Sequence, residues 1–206
     1  LDASLDTIDA SALTGALNIS TANDVTTADA LVGTVDVADI TITGGSGNDT
    51  IDASANATGN EININAGAGD DSVTIGAALT NAGAAIAGDV LVGGEGTDTL
   101  IFDVDLFDVV VGLIGFITLM GVSGFEKLSL NGFGAGADIV NTANISADIV
   151  QVNIITATDG DTTLNMGSGT QTVGIGGTAA TLDGDTLTVD ASGTGTSDAL
   201  TISNIN

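Results

Sequence analysis

The chain has 206 residues, and its twenty-seven acidic side chains face a single basic one, Lys127, for a formal net charge of −26. That balance argues against nucleic acid and anionic membranes as partners, because both are held through Lys and Arg. With no Cys and no His there are no disulfide staples and no ordinary zinc ligands, whereas 43% hydrophobic residues set the chain apart from a disordered acidic tail.

Aromatic residues make up only 2%, and all five Phe lie between Phe102 and Phe133. Elsewhere the core must be built from Val, Ile, Leu and Ala, which suits thin stacked sheets. Residues 1–20 lack the basic and apolar segments of a secretory leader. Neither end carries a clear signature, which suggests a piece of a longer protein.

Taken in chain order, the predicted elements are short strands with period-two alternation, bounded by Gly, Asn and Asp. "TGALNIS" from Thr14 reads as a simple first rung. Three fuller copies follow: "ADITITGGSGNDTID" from Ala38, "NEININAGAGDDSVTIG" from Asn60 and "GDVLVGGEGTDTLIF" from Gly88. Each has an acidic residue, an apolar pair at alternate positions, a glycine turn, an Asp and another apolar residue.

The stretch "VVVGLIGFITLMGVSGF", 109–125, is uncharged but short for a membrane span and contains four Gly. It reads as a buried strand pair, without membrane insertion. Weaker copies complete the series: "EKLSLNGFGAGADIV" from Glu126, "DTTLNMGSGTQTVGI" from Asp161 and "DTLTVDASGTGTSDALTI" from Asp185.

These copies predict an all-β fold, a parallel β-solenoid or β-roll-like stack forming one elongated domain over 1–206. The first apolar residues are Ile40, Ile62, Val90, Leu128, Leu164 and Leu187, at irregular intervals. Ile40/Ile42, Ile62/Ile64 and Val90/Val92 are expected to face inward. Thr41, Asn63, Leu91, Ser129, Asn165 and Thr188 are expected outside.

Stacked coils also stack their acidic turns. Like charges roughly 5 Å apart on neighbouring strands repel strongly unless an ion sits between them. Calcium, a hard cation that takes carboxylate and carbonyl oxygens, suits these residues. Plain turn chemistry is the other reading, since Gly, Ser, Asn and Asp are ordinary turn residues. That second reading is preferred for the recurring apolar-Asp-Ala-Ser phrase, where Asp9, Asp52 and Asp190 bond their own backbone.

"GGSGNDTID" (44–52), "AGAGDDSVT" (66–74) and "GGEGTDTLI" (93–101) resemble the calcium nonapeptide of RTX proteins, G-G-x-G-x-D-x-U-x. Together with "TIDASALTGALNIS" and "GTDTL…GVSGFEKLSL", they make the chain similar to the RTX-type surface-layer (S-layer) proteins of Gram-negative bacteria. The resemblance implies type I secretion, calcium-dependent folding outside the cell and assembly into a two-dimensional lattice. It implies the carboxylates of Asp49, Asp71 and Asp98 as calcium ligands. Their shells would be completed by turn groups among Gly45, Ser46, Gly47, Asn48, Gly67, Gly69, Gly94 and Gly96. Asp70 is an additional candidate, and Asp138 belongs to a lengthened turn. Gln171 departs from the pattern, so its coil is expected to lack a comparable site.

The leading function is therefore a self-assembling structural protein of a calcium-dependent cell-surface layer. A calcium-stiffened stalk of an adhesin or secreted enzyme is the alternative, disfavoured by the irregular spacing. Solenoid lyases and epimerases draw on His, Tyr, Arg or Lys, and this chain has only Lys127, so no catalysis is expected. An outward Thr array of the ice-binding kind is interrupted by Asn, Leu and Ser.

Overall fold

The computed structural model describes residues 7–21, 40–56, 61–76, 89–103, 121–131, 138–155, 161–167, 171–176, 186–190 and 200–205. The chain divides into two compact units, Leu1–Ile101 with Thr118–Phe125, and Phe102–Ile117 with Glu126–Asn206. Both are parallel β-solenoids made of coils in which two short strands flank a turn.

In the first unit the leading strands of the coils are β1 (Thr7–Asp9), β3 (Ile40–Thr43), β5 (Ile62–Ala68), β7 (Val90–Glu95) and β9 (Val122–Ser123). They pair in that order. The trailing strands β2 (Asn18–Ser20), β4 (Thr50–Ala53), β6 (Ser72–Ile75) and β8 (Thr99–Phe102) form the second stack. Alternation of β-branched and small polar residues puts one face of the inner strands β3 to β6 into the core. Ile40 and Ile42 lie over Ile62 and Ile64, and Ile51 lies over Val73, all buried. "TGALNIS" supplies only a trailing strand, with Ile19 opposite Ile51, and β1 before it leads the same coil.

The second unit is built likewise. Its stacks are β10 (Lys127–Leu130), β12 (Gln151–Ile154), β14 (Gln171–Gly176) and β16 (Leu200–Ile205) on one side. On the other stand β11 (Asp138–Asn141), β13 (Thr162–Asn165) and β15 (Leu187–Asp190). One helical turn, α1 (Thr142–Ile145), follows β11, with the Asn141 side chain accepting the Ala143 amide at 3.2 Å. Leu128, Val152 and Val173 stack inside, as do Val140 and Leu164.

Three expectations change. Val90 and Val92 were to face inward, yet Leu91 is 0% exposed and Val90 38%, because Leu91 pairs with Ile64. The turns decide this: Gly67 pairs with Gly94, and a one-residue slip would have broken the glycine stack while turning every side chain over. Leu128 does not continue the Ile40 column. "EKLSL" follows its turn, so Leu128 lies in a trailing strand, and Ser129 is buried with it. Asp138 is the first residue of β11, paired with Thr162, and is not part of a turn.

Much of 109–125, the "LDAS" at residue 1 and the turn leading to Asp198 lie outside the described residues. Among the described residues no helix is long and apolar enough to cross a membrane.

Candidate functional site

The three glycine turns of the first unit stack. The turn from Gly44 to Asp49 joins β3 to β4, the turn ending at Asp71 joins β5 to β6, and the turn ending at Asp98 joins β7 to β8. Two glycine columns result, Gly45–Gly67–Gly94 and Gly47–Gly69–Gly96. A Cβ on Gly94 would lie 1.9 Å from the Gly67 carbonyl oxygen, and one on Gly96 2.0 Å from that of Gly69. Gly67, Gly69, Gly94 and Gly96 also have positive φ, from 112° to 136°. Glycine is required there for space and for backbone conformation together. The Gly45 carbonyl accepts the Ala68 amide at 2.9 Å, and the exposed Ser46 donates its amide to Leu13.

Inside these columns lies a row of buried carboxylates. Asp49, Asp71 and Asp98 are 1%, 2% and 0% exposed. Asp98 Oδ1 accepts the Asp71 amide at 2.8 Å, Asp71 Oδ1 accepts the Asp49 amide at 2.7 Å, and Asp49 Oδ1 accepts the Leu17 amide at 2.7 Å. The Asp49 carboxylate also closes its own turn, with Oδ2 accepting the Gly45 amide at 2.9 Å. Each aspartate is thus clipped to the coil before it. Backbone N–H groups stand between the like charges and offset part of their repulsion.

Not every oxygen of the row is bonded: Asp71 Oδ2 and Asp98 Oδ2 are buried and make no hydrogen bond. Burial pushes the Asp71 carboxyl above the ordinary range. The Asp49 amide pulls it down, and the charges of Asp49 and Asp70 push it up again.

A second ladder on the exposed side of the turns runs in the opposite sense. Asn48 Oδ1 accepts the Asp70 amide at 3.0 Å, and Asp70 Oδ1 accepts the Thr97 amide at 2.9 Å. Here the side chain reaches forward to the next coil, whereas the buried aspartates reach back. Thr97 and Leu17 were not flagged in the sequence because they contribute only backbone. Asp89 was legible as the acid before an apolar pair: it is buried, and its Oδ1 accepts the Ile62 amide at 2.7 Å.

The apolar-Asp-Ala-Ser phrase forms tight turns. Asp9 Oδ1 accepts the Ser11 amide, and Asp52 Oδ1 accepts both the amide and the hydroxyl of Ser54, the latter at 2.6 Å. These bonds hold both carboxyls below the ordinary range, led in each case by the serine hydroxyl. This is the self-bonded turn expected for these residues.

Chemically, then, the structure brings together Asp49, Asp71 and Asp98 in one row and Asn48 and Asp70 in another, while Asp138 belongs to the other unit. Among the described residues no group of three or more carboxylates is placed to hold a metal ion. Within each column the glycine carbonyl abuts the glycine of the next coil and leaves no room for a side chain there. The fold and turns define the class as a parallel β-solenoid with aspartate-laddered turns. No family model, curated protein or solved structure matches the chain.

Proposed function

We propose that this chain is a structural protein of a calcium-dependent bacterial surface layer, assembling with copies of itself into a lattice or filament outside the cell. The observation that carries the reading is how the buried polar groups are used. Asp49, Asp71, Asp98 and Asp89 all bond the backbone of a neighbouring coil, so the chemistry of the interior serves stacking.

The outside supplies the reason for calcium. Exposed carboxylates, among them Asp9, Asp70, Glu95, Asp103 and Asp161, face solvent on a chain with one cation. Two copies of a −26 chain repel at low ionic strength, and divalent ions bound between their surfaces relieve that repulsion. Asp70, in a turn, and Glu95, at the end of β7, lie on adjacent coils and are the residues we assign to that contact. The resemblance to RTX-type surface-layer proteins supports the same reading.

A calcium titration followed by light scattering and negative-stain microscopy tests it. Ordered sheets or filaments are expected at millimolar calcium, dispersing on chelation. A folded protein that stays monomeric at high concentration with calcium overturns the lattice in favour of a stalk module.

A further inference from the structure

We propose that the buried aspartate column of the first unit is a metal-independent register lock. In this role Asp49, Asp71 and Asp98 join successive coils as hydrogen-bond acceptors, and no ion is shared between them. The inference goes beyond the surface-layer reading and parts from the ligand assignment that the RTX-like nonapeptides imply.

The geometry of each link carries it. An ion bridging Asp49 and Asp71 would sit where the Asp49 N–H already donates to Asp71 Oδ1 at 2.7 Å, and a cation and an N–H hydrogen repel. The next link is the same, with the Asp71 N–H on Asp98 Oδ1 at 2.8 Å. The end of the row is closed twice over, by Leu17 on Asp49 Oδ1 and Gly45 on Asp49 Oδ2.

The backbone carbonyls of the aspartates themselves already serve the ladder. Asp49 O accepts the Ser72 amide at 2.9 Å and Asp71 O the Thr99 amide at 2.8 Å. Calcium takes six to eight oxygens. Asp71 Oδ2 and Asp98 Oδ2 are buried oxygens that make no hydrogen bond, and two oxygens fall well short of such a shell.

An acceptor role needs an oxygen in place but no charge, whereas a ligand role needs the charge. Asp71→Asn keeps the acceptor and removes the charge; Asp71→Ala removes both. The decisive measurement is thermal melting of the whole chain with and without chelator at about 0.15 M salt, where exposed charges are screened over ~8 Å. The wild-type melting temperature should move by less than about 2 °C on chelation. The Asn variant should melt within a similar margin of wild type or above it, and the Ala variant roughly 5 °C lower. Calorimetric titration should find the same number of calcium ions bound by wild type and Asp71→Asn.

If chelator lowers the wild-type melting temperature as far as the Ala substitution does, the lock is wrong. It is equally wrong if Asp71→Asn loses a bound calcium. The wild-type comparison decides the matter even where a variant does not fold. Loss of sheets without loss of melting temperature would bear on the surface-layer reading alone, so the two fail separately.

Discussion

The two units share a coil plan, and one place where they differ is the register position at which each trailing strand begins. In the first unit the position is held by Leu17, Asp49, Asp71 and Asp98; in the second, Glu126, Val150 and Gln171 occupy it. The ladder bond from the following residue is unchanged. The Ser72 amide reaches Asp49 O at 2.9 Å, and the Thr172 amide reaches Val150 O at 2.9 Å. What differs is the amide of the position itself. Asp49 gives its N–H to the carboxylate of the next coil, whereas Val150 gives its N–H to the Glu126 carbonyl, which the Gln151 amide also uses. A run of consecutive aspartates therefore adds side-chain links to a stack whose backbone pairing exists without them.

The sharpest way to break this comparison is through the glycines that make room for the row. Gly94→Ala puts a methyl group 1.9 Å from a carbonyl oxygen at φ 122°, and should cost more than about 3 kcal/mol. Gly167→Ala in the second unit meets only Thr142 Oγ1 at 3.5 Å and should cost less than about 1 kcal/mol. Urea melts of the two variants check this, and equal losses would mean that the first unit has no special need for its glycines.

The next effect is local. Asp71→Ala leaves the Asp49 amide without its acceptor, a loss of about 2 kcal/mol. Amide exchange by NMR should speed up roughly 30-fold at Asp49 and its neighbours, while Val150 and Thr172 keep their wild-type rates. Comparable acceleration in both units would show that the substitution acts globally, and the contrast between them would fall.

The smallest effect is on pH, and it has two opposed parts. Asp52 is held below its ordinary value of 3.8 by Ser54, so its bond contributes above that value and is lost as pH falls through the lower folded value. On a largely exposed group the contribution is under about 0.5 kcal/mol. Asp71 has the reverse sign. Its raised carboxyl takes up a proton more readily folded than unfolded, so it adds stability as pH falls from neutral and loses it as pH rises through the folded value. Ser54→Ala should flatten the first response and Asp71→Asn the second. Urea midpoints across the acidic range that are the same in wild type and both variants would remove these assignments.

Most of the stacking was legible because the glycine turns carry it. Two registers were available for the third copy, one from the apolar pairs and one from the nonapeptides, and they differ by one residue. Val90, Leu91 and Val92 are all apolar, so periodicity could not choose between them, and only the need to stack Gly94 on Gly67 does. Leu128 was misplaced for a related reason. Its copy begins after the turn, and "EKLSL" looks the same whether it leads or trails. At the site, the identity of the buried row was readable from Asp spacing, but its bonding was not. The partners are backbone amides of Leu17, Asp49 and Asp71, which leave no mark in a sequence.

The links in the buried row span unequal lengths of chain, 22 residues from Asp49 to Asp71 and 27 from Asp71 to Asp98, with nearly equal bond lengths. The length of chain between successive aspartates does not set the length of the clip. Such a coil is a unit of inheritance as much as of structure. A duplicated coil brings both halves of its fastening, an amide for the coil after it and a carboxylate for the coil before. An insertion away from the turn leaves both intact. A lineage is free to lengthen or shorten this stack in whole steps, and to decorate each step separately, while the fastening stays fixed.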